Sequence, residues 1–128
     1  MQQRSRDVVY IIDTDASVRQ GLARLLDSAG LEAIPCDSTA AFFHHAPTGR
    51  RACGLLDIAA LLSCDPGQWA ELRAAAQSMP IIALSADDDP ATRQMARAMG
   101  ARAFFRKPVD AAALFDSIDW VMHTEGWG

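Results

Sequence analysis

The sequence predicts an α/β domain: a doubly wound parallel sheet of five β/α units, with strand order 2-1-3-4-5. Three observations predict it. Short apolar runs alternate with stretches of helical period along the whole chain. Val8–Ile12, Ala52–Leu56 and Ile81–Leu84 are continuously apolar, as strands buried on both faces must be, so they are central. Leu31–Cys36 and Ala101–Phe105 carry Glu32 and Arg102 among apolar neighbours, which places them at the edges.

Each element has its own signals. After Val8–Ile12, residues Val18, Leu22, Leu25, Leu26 and Ala29 recur at helical spacing, and Gly30 provides a stop. Ser38–Ala46 reads as a short helix, with Asp37 or Ser38 able to cap it and Pro47 beyond its end. Asp65-Pro66 starts another helix, because Asp accepts from free amides and Pro fits the first turn; Trp69, Leu72 and Ala76 form its inner face. Asp89-Pro90 repeats that start signal for a helix through Met95 and Met99, read as ordinary packing residues, and Gly100 stops it. Asp110 opens the last helix, where Leu114, Phe115, Ile118, Val121 and Met122 fall on one stripe. The Gly126-Trp127-Gly128 tail is expected to fray.

At 128 residues the chain is expected to form a single domain over residues 1–128, with a core from about 7 to 122. Half of it is hydrophobic, which excludes a disordered chain. A net charge of −4 with no basic stripe argues against nucleic-acid binding, and Arg50-Arg51 reads as a solvated loop. No apolar stretch approaches the roughly 18 residues of a membrane helix, and the N-terminus lacks a signal-peptide apolar region. A cytoplasmic location without membrane contact is expected. Cys36, Cys53 and Cys64 lack metal-type spacing and read as reduced structural thiols, Cys53 in the core; His44, His45 and His123 likewise lack ligand partners.

Four polar residues carry the chemistry. Asp13, Asp57, Ser85 and Lys107 each stand at the downstream end of an apolar run. In an open parallel sheet those ends share one edge, and Asp13 and Asp57 flank the switch point between strands one and three. Two carboxylates, a hydroxyl and an ammonium suit a magnesium-assisted phosphoryl site. Thr14 stands where a second carboxylate would be expected beside Asp13.

The motifs Ile11-Ile12-Asp13-Thr14-Asp15 with Val18-Arg19, Leu56-Asp57, Leu84-Ser85-Ala86, and Gly100-Ala101 followed by Phe104-Phe105-Arg106-Lys107-Pro108 resemble receiver domains of two-component response regulators. The likeness runs from about Asp7 to Met122. It includes a Ser38-Thr39-Ala40-Ala41-Phe42 helix opening similar to the nitrogen-fixation and LuxR-output group. It implies a flavodoxin-like (βα)5 fold and a signalling role rather than an enzyme. Asp57 would be the phosphoacceptor, attacking a phosphohistidine on a sensor histidine kinase or phosphotransfer protein. Lys107 would pair with Asp57 and then with a phosphoryl oxygen. Ser85 would hydrogen-bond the phosphoryl group, Phe104 would be the switch aromatic turning inward behind it, and Ala86 would leave the site open. Lys107-Pro108 would be cis. Mg²⁺ would be held by Asp13, Asp57 and the Ala59 carbonyl. An output domain or downstream protein would dock on the fourth helix, fifth strand and fifth helix, and a homodimer is a further partner the resemblance admits, on a face the sequence does not name.

The sequence departs from the family in three places. Thr14 replaces a carboxylate that binds the metal directly, and Asp15 reads more readily as a helix cap than as its substitute. Ile58-Ala59-Ala60-Leu61-Leu62 lacks the usual Met-Pro and is apolar, so it packs over the site or forms a partner surface; the nearest glycine, Gly67, comes late. No output domain is seen after the fifth helix. These departures keep a second reading open, a pseudo-receiver that binds protein without phosphorylation. A third, a haloacid-dehalogenase-type phosphatase with Asp13 as nucleophile, leaves Asp57 and Lys107-Pro108 unexplained and lacks the further acidic ligands it needs.

Overall fold

A computed structural model of the chain describes residues 6–45 and 49–123. Its strands are β1 (Val8–Ile12), β2 (Glu32–Cys36), β3 (Ala52–Asp57), β4 (Ile81–Ser85) and β5 (Ala103–Arg106). Its α-helices are α1 (Ala16–Ser28), α2 (Thr39–His45), α3 (Pro66–Ser78), α4 (Pro90–Met99) and α5 (Ala111–His123), and a 3-10 helix spans Ile58–Ser63. The sheet is parallel throughout, in the order β2-β1-β3-β4-β5, as the alternation of apolar runs and helical stripes requires. The three central strands are buried along their whole length, whereas β2 and β5 are half-buried, so edge and centre fall where the polarity of the runs put them.

Alternate residues of the strands feed two cores. Val9, Ile11, Leu55, Ile82 and Leu84 pack against Leu26 of α1 and Leu114, Ile118 and Val121 of α5. Tyr10, Ile12, Leu56, Ile81 and Ala83 pack against Phe42 of α2, Leu72 and Ala76 of α3, and Ala96 and Met99 of α4. Each fully buried Leu or Ile contributes roughly 1.5–3 kcal/mol from burial, which makes this double layer the rigid base for the strand ends. Cys53 is core, and burial pushes its thiol up to about 12 and that of Cys36 to about 11. Such thiols are inert structural residues.

The caps follow the sequence signals. Asp15 accepts from the Ser17 and Val18 amides, and Ser38 accepts from Ala41 N at 3.1 Å. Asp65 and Gln68 form a reciprocal capping box, Asp89 accepts from Thr92 N, and Asp110 accepts from Ala113 N.

Several boundaries differ from the expectation. β5 begins at Ala103 rather than Ala101, because Ala101 N donates to Ala96 O and closes the end of α4 behind Gly100. Gly100 has φ +97°, and a Cβ there would meet only the Ala76 Cβ at 3.5 Å. The strain of Gly100→Ala is therefore in the backbone, and the expected loss of stability in urea denaturation is about 1–2 kcal/mol. Ala29 is exposed, since α1 ends at Ser28 and Ala29 N turns back to Leu26 O. Arg50 lies in the bend before β3 with 31% of its side chain exposed, and its guanidinium clamps both oxygens of Glu32 on the edge strand, at 3.0 and 2.9 Å. Ala46, Pro47 and the Gly126-Trp127-Gly128 tail lie outside the described residues.

Candidate functional site

The strand register assembles the site. Ile12 lies opposite Leu56, so Asp13 and Asp57 leave adjacent strands side by side; Asp57 lies opposite Leu84 and Ser85 opposite Arg106. Backbone bonds hold the ends in place, with Asp13 N donating to Cys36 O at 3.1 Å and Lys107 N to Ser85 O at 2.8 Å. The Lys107-Pro108 peptide is cis. Arg19 adds a brace that its sequence position did not signal, its Nη1 donating to Asp13 O at 2.8 Å.

Three of the four strand-end residues meet through one ammonium. Lys107 Nζ lies 2.6 Å from Asp13 Oδ2 and 3.5 Å from Asp57 Oδ1. Asp13 is 1% exposed, and its other oxygen accepts from Asp15 N at 2.9 Å. Asp57 is 7% exposed; its Oδ1 also receives a long contact from Ala59 N at 3.4 Å, while Oδ2 takes no hydrogen bond among the described residues. Burial raises the Asp57 carboxyl above the ordinary aspartate range; the Lys107 charge lowers it and the Asp13 charge raises it further. Lys107 is the only lysine of the 128 residues, which singles out this ammonium in the sequence itself.

Ser85 is buried, and its Oγ accepts from Asp87 N at 3.0 Å, which ties the hydroxyl to the loop leading into α4. Ala86 is exposed beside it. Phe104 is half-buried against the α4-side core, and the Arg93 guanidinium lies 4.9 Å above its ring while also pairing with Asp88. That cation–π contact, worth roughly 0.5–1 kcal/mol where exposed, links the loop after Ser85 to Phe104, and no sequence pattern marked it.

Thr14 is exposed and lines a separate hollow of about 110 Å³ with Asp37, Thr39, Ser63 and Gln68. The loop after Asp57 divides: Ile58, Ala60 and Leu61 pack inward in the 3-10 helix, and Leu62 is 77% exposed. Beside Lys107, an apolar hollow of about 400 Å³ is lined by Val18, Leu22, Leu25, Leu84, Pro108 and Val109.

Comparison with known proteins places this geometry. The family model of the response regulator receiver domain matches residues 9–119. The chain is 32% identical over 110 residues to the transcriptional regulatory protein FixJ of Azorhizobium caulinodans, covering 86% of this chain and 52% of that one. It is thus similar to about half the length of that relative. A solved structure of the response regulator StyR superposes with TM-score 0.74 at 31% identity, over 92% of this chain and 60% of that one. A receiver protein from Burkholderia phymatum superposes with TM-score 0.71 at 30% identity, over 91% and 95%. The chain belongs to the response regulator receiver domain family, the signalling modules of two-component systems.

Receiver domains generally bind Mg²⁺ at their acidic pocket. The donors here do not fit that ion well. Among the described residues no group of three or more His, Cys, Asp or Glu side chains is placed to share a metal. Asp15 caps α1, Thr14 brings no charge, and the better-buried carboxylate already holds an ammonium.

Proposed function

We propose that the domain accepts a phosphoryl group on Asp57 from a histidine kinase or phosphotransfer protein and relays its arrival to a protein-binding face. The observation that carries this reading is the Asp57 carboxylate at the β3 end, with Lys107 on Oδ1 and Oδ2 open. Oδ2 attacks the phosphorus of a phosphohistidine in line, the new O–P bond forms as the P–N bond breaks, and the imidazole leaves with the bonding pair. Such transfer depends on positioning and charge compensation, and Lys107 supplies the fixed positive charge. The apolar hollow beside Lys107 gives a donor protein a surface on which to seat. The phosphatase alternative is disfavoured, since both Asp13 oxygens already have partners inside the protein.

Relay to the face built by α4, β5 and α5 runs through Ser85 and Phe104. A phosphoryl group drawing in the Ser85 hydroxyl disturbs its bond to Asp87 N, and with it the Asp88–Arg93–Phe104 contacts. An output domain, a downstream protein or a second copy of the chain would read that change.

Amide NMR before and after treatment with acetyl phosphate tests the relay. The Ala59 and Asp87 amides should move together with Phe104 and Arg93, while the far end of the sheet around Glu32 and Arg50 stays still. Acyl-phosphate formation without movement at Phe104 would favour a phosphoryl store with no switch. The Asp13–Lys107 pair favours a second reading, a protein-binding module that is never phosphorylated, and absence of any phosphorylation would support it.

A further inference from the structure

We propose that Lys107 is the resident counter-cation of this pocket and that no divalent metal ion takes that place at millimolar Mg²⁺. Mg²⁺ demands near-octahedral oxygen donors and gives up its waters reluctantly, so it needs carboxylates free to face it. This pocket offers two, and of their four oxygens only Asp57 Oδ2 is without a partner among the described residues. Asp13 holds the ammonium on one oxygen at 2.6 Å and the Asp15 amide on the other at 2.9 Å. Asp57 shares the same ammonium through Oδ1 at 3.5 Å. A metal entering between the two would have to displace Lys107 or stand against its positive charge in a site only 1% and 7% exposed at the carboxylates. At such burial, like-charge repulsion is poorly screened.

Two further observations close the alternatives. Thr14 is exposed and uncharged, so position 14 brings no third carboxylate to the pocket. Asp15, the nearest spare carboxylate, accepts from the Ser17 and Val18 amides at 2.9 and 3.2 Å, and withdrawing it uncaps α1. The charges also close without a metal: two carboxylates and one ammonium leave a net charge of −1, against −2 with an acid at position 14. The electrostatic demand for a dication is correspondingly smaller. This extends the phosphoryl-acceptor reading: if Asp57 is phosphorylated, Lys107 is the cation that compensates the incoming group.

The chain reports on its own pocket. Asp15 N and Ala59 N donate directly to Asp13 and Asp57, and the single lysine gives one side-chain signal. Wild-type protein with ¹⁵N label is titrated with MgCl₂ through the millimolar range, with NaCl at matched ionic strength as the reference. Expected are non-saturating drifts of the Asp15 and Ala59 amides that match the salt reference, and an unmoved Lys107 signal. A saturable shift of these three signals at low-millimolar Mg²⁺ overturns the proposal, and this arm needs no variant. Thr14→Asp, checked for an unchanged amide pattern elsewhere, should bind Mg²⁺ saturably and at least about 10-fold more tightly, the scale of restoring a ligand contact. Equal response of wild type and Thr14→Asp also overturns it. Because the protein is unphosphorylated throughout, the outcome does not depend on whether Asp57 accepts a phosphoryl group.

Discussion

Replacing Lys107 by methionine is expected to destabilise the domain by about 3 kcal/mol at neutral pH, the low end for removing one partner of a buried ion pair. Methionine keeps most of the apolar stem that lines the hollow beside Val18 and Leu22, so packing is largely retained and the loss isolates the charge. Asp13 and Asp57 would then lose the cation they share. The lower end of the range applies because the lysine side chain is 18% exposed and water reaches part of the pocket. Acidification should shrink the loss, since Asp57, whose carboxyl burial already raises, relieves the repulsion by taking up a proton. Urea denaturation of wild type and variant at neutral and mildly acidic pH measures both effects. A difference below about 0.5 kcal/mol at neutral pH would mean that the pair behaves as a solvated surface bridge.

Asp57→Asn is expected to act in the opposite direction, raising stability at neutral pH, because burial holds the Asp57 carboxyl above its ordinary range. The folded-state pKa of Asp57 lies above its unfolded value because burial disfavours the anion. Its contribution to stability is therefore fully present below the ordinary aspartate pKa and is lost as pH rises through the folded value. Asparagine carries no such pH-dependent loss, and Lys107 retains Asp13 as its partner at 2.6 Å. The gain should vanish below about pH 4, where the carboxyl is protonated in both states. Denaturation curves across that window check the sign. A variant less stable than wild type at neutral pH would show that the Lys107 attraction outweighs desolvation.

Much of this was legible in the chain because single residues settle local choices. Asp-Pro at 65–66 and 89–90 fixed two helix starts, and unbroken apolar runs separated central strands from edges. From that order, the convergence of Asp13, Asp57, Ser85 and Lys107 follows by topology alone. What could not be read depends on side-chain reach and on three-dimensional neighbours. Ile58–Leu62 has neither a strand nor an α-helical period, and only the 3-10 turn shows that Leu61 goes in and Leu62 out. Arg93 over Phe104 and Arg50 on Glu32 are long side chains crossing between elements, which no spacing rule encodes. The preference of Lys107 for Asp13 over Asp57 is a matter of 0.9 Å (3.5 against 2.6 Å), beyond any reading of motifs.

The most direct test of the acceptor assignment is intact-mass analysis after incubation with acetyl phosphate, with and without Mg²⁺, on wild type and Asp57→Asn. One phosphoryl adduct per wild-type chain, mapped to Asp57, is expected, and none on the variant. No adduct on folded wild-type protein under either condition, or an adduct that persists in Asp57→Asn, would contradict it.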